Sequence, residues 1–171
     1  SILPLYRADW DPMMVDPQQA IITAAATLVS ASALLFSRRY LHGEFMYGRM
    51  QIDSAIMLLG FNIVASAPNL EDVAIGWTII GYASTFLIGG FNDRPTARDN
   101  AAYAFLLYQI SDAALLLAIA FGAQAGADAQ PEIAAAGLVV AALIKSSQFP
   151  FSGLFVRSME GASPNSALGY A

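Results

Sequence analysis

The chain has 171 residues, 57% of them hydrophobic and 12% charged, with a formal net charge of −5, one histidine and no cysteine. An ordinary soluble domain carries about a quarter charged residues, so water is a poor candidate for the main solvent, and without cysteine a disulfide framework, a thiolate zinc site and a cysteine nucleophile are excluded. The lone histidine, His42, rules out a multi-histidine metal site, and an acidic balance with no basic block argues against nucleic acid as a partner.

The charges fall between apolar runs. A bilayer core of about 30 Å needs roughly 20 mostly apolar residues at 1.5 Å each. Five such segments follow in chain order, at approximately 18–38, 52–68, 72–91, 101–122 and 132–155. They are apolar all round, without the polar face of a surface helix in a soluble bundle. The acidic, Pro-containing stretch 1–16 precedes them and is expected to be extramembrane. It does not resemble a signal peptide, and with no initiator Met the chain reads as processed or as a piece of something longer. The expected fold is all-α: a single membrane domain over 1–171, a polytopic transmembrane bundle of about five helices, the last broken near Pro150.

Turn signals punctuate this plan. Pro68-Asn69 makes a tight connection, Asn92-Asp93-Arg94-Pro95 ends the third segment, and Pro131 suits a helix start, where its missing N–H does no harm. Arg38, Arg39 and Arg49 follow the first segment, Arg94 and Arg98 the third, and Arg157 the fifth. The opposite ends collect Asp9, Asp11, Asp16, Glu71, Asp72, Asp128 and Glu132, with Arg7 alone among them. The basic-residue bias of cytoplasmic loops then puts the N-terminus outside, and the expected location is a bacterial inner membrane.

Asp112 and Lys145 stand out because each is the lone charge of a long run, Asp112 in Asn100 to Ala127 and Lys145 in Ile133 to Val156. Both lie about 12 residues in, on the order of 18 Å along the axis and near mid-membrane. An ionisable group at that depth costs a few kcal/mol and usually faces a bundle interior or water, where it takes part in ion movement. The plainer alternatives are a Lys145 that snorkels along its four-carbon stem and an Asp112 that caps a kink or pairs with a neighbour. Pro150 removes an intrahelical hydrogen bond and clashes with the carbonyl of Ser146, so a break is expected one turn from the lysine. Broken helices beside ionisable groups recur in ion pathways, although ordinary proline kinks also occur in membrane helices.

Tyr108 and Gln109 precede Asp112 by four and three residues, and Gln148 follows Lys145 by three, so helical spacing groups them as a polar path or as helix glue. Glu71 and Asp72 suit the start of the third helix through its dipole. The Ala134 to Ala142 stretch and the pair Gly89-Gly90 indicate close helix packing. No metal-ligand cluster, phosphate-binding loop or Ser/His/Asp set can be assembled, and no cofactor site is visible. The residues offer a path for charge rather than a site for covalent chemistry.

The string KSSQFPFSGLFVRSMEGASPNSAL, Lys145 to Leu168, resembles the signature of the antiporter-like subunits of respiratory complex I, above all the L or 5 subunit. The helix from Ile75 to Phe91 resembles that family's GWE-x-x-G-x-x-S-Y-L-L-I-G-F pattern, and Tyr40 to Arg49 resembles its Y-M-x-G-x-x-x-Y-x-R-F loop. The resemblance implies that Lys145 matches the central lysine of the first half-channel, on a broken helix, and that Asp112 matches the family's buried aspartate. It also implies about fourteen helices or more in the family, against five spans here. The family glutamate that partners the lysine falls at Thr78, the arginine beside the aspartate at Gln109, a histidine at Tyr170, and a Trp-Leu-Pro at Leu154-Phe155-Val156. Thr78 therefore joins the candidate path.

The expected function is proton translocation within a larger energy-coupled complex, with Lys145 and Asp112 as the relay and other membrane subunits as partners in the bilayer. As a subunit of a translocating NADH-quinone oxidoreductase the chain would hold no catalytic chemistry itself. The departures also fit the L-like membrane subunits of inorganic-carbon uptake complexes. A non-conducting scaffold and a soluble helical bundle are the alternatives from other classes.

Overall fold

A computed structural model describes residues 17–91, 93–122 and 130–161. Six helices run through them: α1 (Pro17–Tyr40), α2 (Tyr47–Ser66), α3 (Leu70–Ile88), α4 (Pro95–Gly122), α5 (Pro131–Lys145) and α6 (Gly153–Ser158). The chain is an all-α helical membrane protein. Successive helices from α1 to α5 pack pairwise in chain order, and α6 returns to α4. The stretch 1–16, expected to be extramembrane, Asp128 and Tyr170 lie outside the described residues.

Local chemistry sets the helix ends. Arg38 and Arg39 close the last turn of α1, where positive charge suits the dipole, and Glu71 and Asp72 occupy the first turn of α3, where negative charge does. Gly43, at φ 88°, turns the chain between α1 and α2 in a conformation that costs an L side chain energy. α4 starts at Pro95 and α5 at Pro131, both positions where a proline loses no hydrogen bond. α4 therefore begins ahead of its apolar run, adding the polar stretch Pro95 to Asn100.

By length and composition alone, Gln19–Tyr40 and Pro95–Gly122 are long and apolar enough to cross a membrane. α2 and α3 have 20 and 19 residues, about 30 and 28 Å of helix at 1.5 Å per residue. Large apolar side chains point outward, with Leu28, Leu35 and Leu106 each more than half exposed, as expected of surfaces meeting lipid or neighbouring helices.

Small residues bring the backbones together. A Cβ added at Gly76 would stand 2.7 Å from the Gly60 carbonyl oxygen, so α2 and α3 cross almost backbone to backbone. α5 lays Ala134, Gly137 and Ala141 against α4, and a Cβ at Gly137 would meet the Ala114 carbonyl oxygen at 2.8 Å. One apolar cluster, including Ala33, Met57 and Leu87, joins α1 to α3, and a second, including Ala104, Tyr108 and Ile144, joins α3 to α6.

The fifth expected segment, 132–155, is not continuous. α5 ends at Lys145, and residues 146–152 separate it from α6. The amide of Gln148 donates to the Leu143 carbonyl (2.9 Å) and that of Ser147 to the Ile144 carbonyl (3.0 Å), with Ser147 at φ 53°. This double bond pattern around a left-handed residue is a Schellman termination, so the helix is already closed before Pro150 arrives. The Phe149–Pro150 peptide is cis.

Candidate functional site

Lys145 occupies the last position of α5, and from there its side chain crosses to α3. Its Nζ donates a hydrogen bond of 2.7 Å to the main-chain carbonyl of Trp77. An α-helix pairs that carbonyl with the amide of residue 81, and a carbonyl oxygen has a second lone pair to offer. Residue 81 is Gly, and a Cβ there would lie 2.9 Å from Lys145 Nζ. Gly81 thus opens the wall of α3 where the ammonium enters. The Trp77 and Tyr108 rings, with centroids 5.2 and 4.8 Å from Nζ, lie within cation–π range on either helix.

Asp112 reaches the same place from α4. Its Oδ1 lies 3.9 Å from Lys145 Nζ, and the two side chains are only 10% and 13% exposed. That separation is an ion pair but not a hydrogen bond, and among the described residues Oδ1 finds no donor. Thr78 of α3 lies beside the same carboxylate. The threonine standing where the resemblance puts a glutamate is therefore next to the aspartate from the neighbouring helix.

A second set of bonds locks the three helices around this pair. The Trp77 indole Nε1 donates to Ser111 Oγ (3.0 Å), and Ser111 Oγ donates to the Ala141 carbonyl (3.0 Å). Ser111 is fully buried, and its hydroxyl ties α3, α4 and α5 at one level. Tyr108 and Ser84 both face the space on the lysine's other side. Next to the ammonium opens a cavity of about 520 Å³, lined by Met57, Phe61, Trp77, Ser84, Tyr108 and Lys145 among others. Such a space with polar atoms on its wall can hold water.

Of the candidates named from sequence, Lys145, Asp112, Thr78 and Tyr108 converge. Gln109 is half-buried on α4 and Gln148 is exposed beyond the end of α5; neither lines the cavity. Gln148 Nε2 instead approaches the Ser146 carbonyl at 3.5 Å. Pro150 is exposed and lies past the helix end rather than at it. Sequence reasoning missed Gly81, Ser111 and Trp77. A glycine, a serine and an indole inside apolar helices signal close packing or helix glue, and only the neighbouring helices show that they meet at the lysine.

The profile described as "NADH:quinone oxidoreductase/Mrp antiporter, TM" matches residues 67–171, and the chain belongs to that family of antiporter-like membrane subunits. It is 28% identical to the NAD(P)H-quinone oxidoreductase subunit 5 of the Nephroselmis olivacea chloroplast, over 92% of this chain and 28% of that protein. It is 32% identical to NADH-ubiquinone oxidoreductase chain 5 of Sus scrofa, over 84% of this chain and 25% of the relative. A probable inorganic carbon transporter subunit DabB1 of Halothiobacillus neapolitanus is 28% identical over 95% of this chain and 33% of its own length. The chain thus spans between about a quarter and a third of the length of these relatives.

Proposed function

We propose that this chain carries the proton-handling part of an antiporter-like membrane subunit, with Lys145 and Asp112 as the exchanging pair. One observation carries the reading: a buried ammonium bonded to a helix carbonyl at 2.7 Å faces an aspartate oxygen, 3.9 Å away, that has no hydrogen bond among the described residues. The lysine has two acceptors within reach and satisfies one at a time. A proton passing from ammonium to carboxylate leaves a neutral amine and a neutral acid, so no unpaired charge stands in the hydrocarbon. The adjoining cavity gives the amine a route to water, which a scaffold holding a dry pair would not need.

Membership of the family supports this reading, and the named relatives supply its wider setting. The chain would sit among other membrane subunits of an energy-coupled complex in a lipid bilayer, without nucleic acid, and the partners would deliver the driving force. The arginine-bearing ends of α1 and α6 and the Arg94 turn after α3 then face the cytoplasm, and in a bacterial inner membrane the N-terminus lies outside. A second reading, a subunit of an inorganic-carbon uptake complex, is supported by the DabB1 relative that matches 95% of this chain.

The test is proton flux through the complete assembly in sealed vesicles, with Lys145→Ala compared against wild type. Flux reduced to the leak of empty vesicles is the expected result, and undiminished flux with normal assembly removes the relay and leaves the scaffold.

A further inference from the structure

We propose that Asp53 is a further proton-carrying group, taking protons at the arginine-bearing end of the bundle and passing them to the Lys145 cavity. This rests on the reading of Lys145 as a relay. Asp53 sits on α2 and is 8% exposed. Its Oδ2 is 3.8 Å from Nε of Arg49, one turn earlier, which is too far for a hydrogen bond. Arg49 is half exposed, and its guanidinium rests on the Phe86 ring at 5.6 Å rather than closing on the carboxylate. An ordinary i, i+4 surface pair keeps both partners in water; here only the arginine reaches it.

The surroundings of Asp53 point inward. The carboxylate lines a small cavity with Leu41, Arg49, Phe86, Leu87 and Phe91. One turn further along α2 is Met57, and one turn back along α3 from Leu87 is Ser84; both are on the wall of the 520 Å³ cavity that holds Lys145. One turn of helix is about 5.4 Å, so the two cavities are adjacent floors of the same α2–α3 crevice. Asp53 stands between a water-exposed guanidinium and the chamber of the buried lysine.

The step balances without any other reactant. The Asp53 carboxylate takes a proton from hydronium on the Arg49 side, leaving water, and becomes a neutral acid. It gives that proton to water in the chamber, which delivers it to the neutral Lys145 amine, and the carboxylate and the ammonium are formed.

The experiment measures proton flux in vesicles holding the complete assembly, for Asp53→Asn, Asp53→Glu and, as reference, Lys145→Ala. The expected result is a loss of about tenfold or more for Asp53→Asn, as for removal of a positioned proton carrier. Flux is retained in Asp53→Glu, and a small permeant acid such as formate restores Asp53→Asn but not Lys145→Ala. If Asp53→Asn conducts normally while Lys145→Ala does not, the role of Asp53 is overturned and the relay stands. If neither substitution changes flux, the relay itself fails and takes this inference with it. Should Asp53→Asn not assemble, dicyclohexylcarbodiimide on the wild-type complex decides. Modification of Asp53 with Asp112 unmodified, found by peptide mass, and flux falling in proportion supports the proposal; Asp53 modified with flux intact overturns it.

Discussion

A lysine that prefers a helix carbonyl to the carboxylate beside it is held in a poised state. An unsatisfied buried acceptor costs about 1–3 kcal/mol, and here that acceptor is Asp112 Oδ1, within one side-chain swing of the ammonium. Thr78 stands on α3 where the family resemblance puts a glutamate, and Asp112 on α4 supplies the carboxylate beside the lysine instead, so the acid stands one helix over while the lysine keeps a partner. Asp112→Asn is therefore expected to lower proton flux by about a hundredfold, in the range of a lost proton-transfer group. Adding Thr78→Glu to that variant should recover part of the loss, because a carboxylate returns beside Lys145; flux in sealed vesicles checks both. Gly81→Ala tests the opening in α3. Its methyl would stand 2.9 Å from Nζ and displace it, and a shift of about 1 Å near a transfer step can cost up to a hundredfold, so flux should fall while assembly and melting temperature hold. Lys145 and Asp112 are legible in the sequence because a lone charge inside a long apolar run is costly and stands out at once. Gly81 and Ser111 are not, since what selects them is empty space beside a carbonyl and a hydroxyl shared among three helices.

At the scale of elements, the break after Lys145 is the feature that places the site. Apolar composition runs on past residue 145 and hides the helix end, and the proline draws attention to a position already beyond it. Gln148 shows the consequence: its spacing from Lys145 puts the two on one face only if the helix continues, and it does not. The left-handed Ser147 carries a steric cost of roughly 1 kcal/mol that glycine would not. Ser147→Gly should then raise the stability of the complex by about 0.5–1 kcal/mol, read as a higher denaturant midpoint in detergent. Gly76→Ala should do the reverse, because a Cβ 2.7 Å from the Gly60 carbonyl forces α2 and α3 apart; overpacking of this kind costs about 1–3 kcal/mol and should appear as reduced thermal stability. Positions and order of the first four helices are readable from the spacing of charges, with ends that differ by a few residues. Pro95 to Asn100 joins α4 because polar residues extend a helix out of the bilayer without any apolar signal.

For the whole molecule, serial packing of antiporter-like helices leaves a chamber bordered by Lys145 and a separate, smaller cavity bordered by Asp53. Basic residues gather at the ends of α1, α5 and α6, and acidic ones at the starts of α3 and α5. The helical class follows from the alternation of apolar runs with charged ends, and Asp112 and Lys145 stand out in the sequence, whereas their 3.9 Å approach emerges only when α3, α4 and α5 are brought together. The direct measurement is proton flux through the complete assembly for Lys145→Ala, Asp112→Asn and the double variant. Groups that act as one unit are not additive. The account predicts that each single substitution abolishes most of the flux and that the double variant is no worse than either. Full conduction by either single variant, at normal assembly, would contradict it.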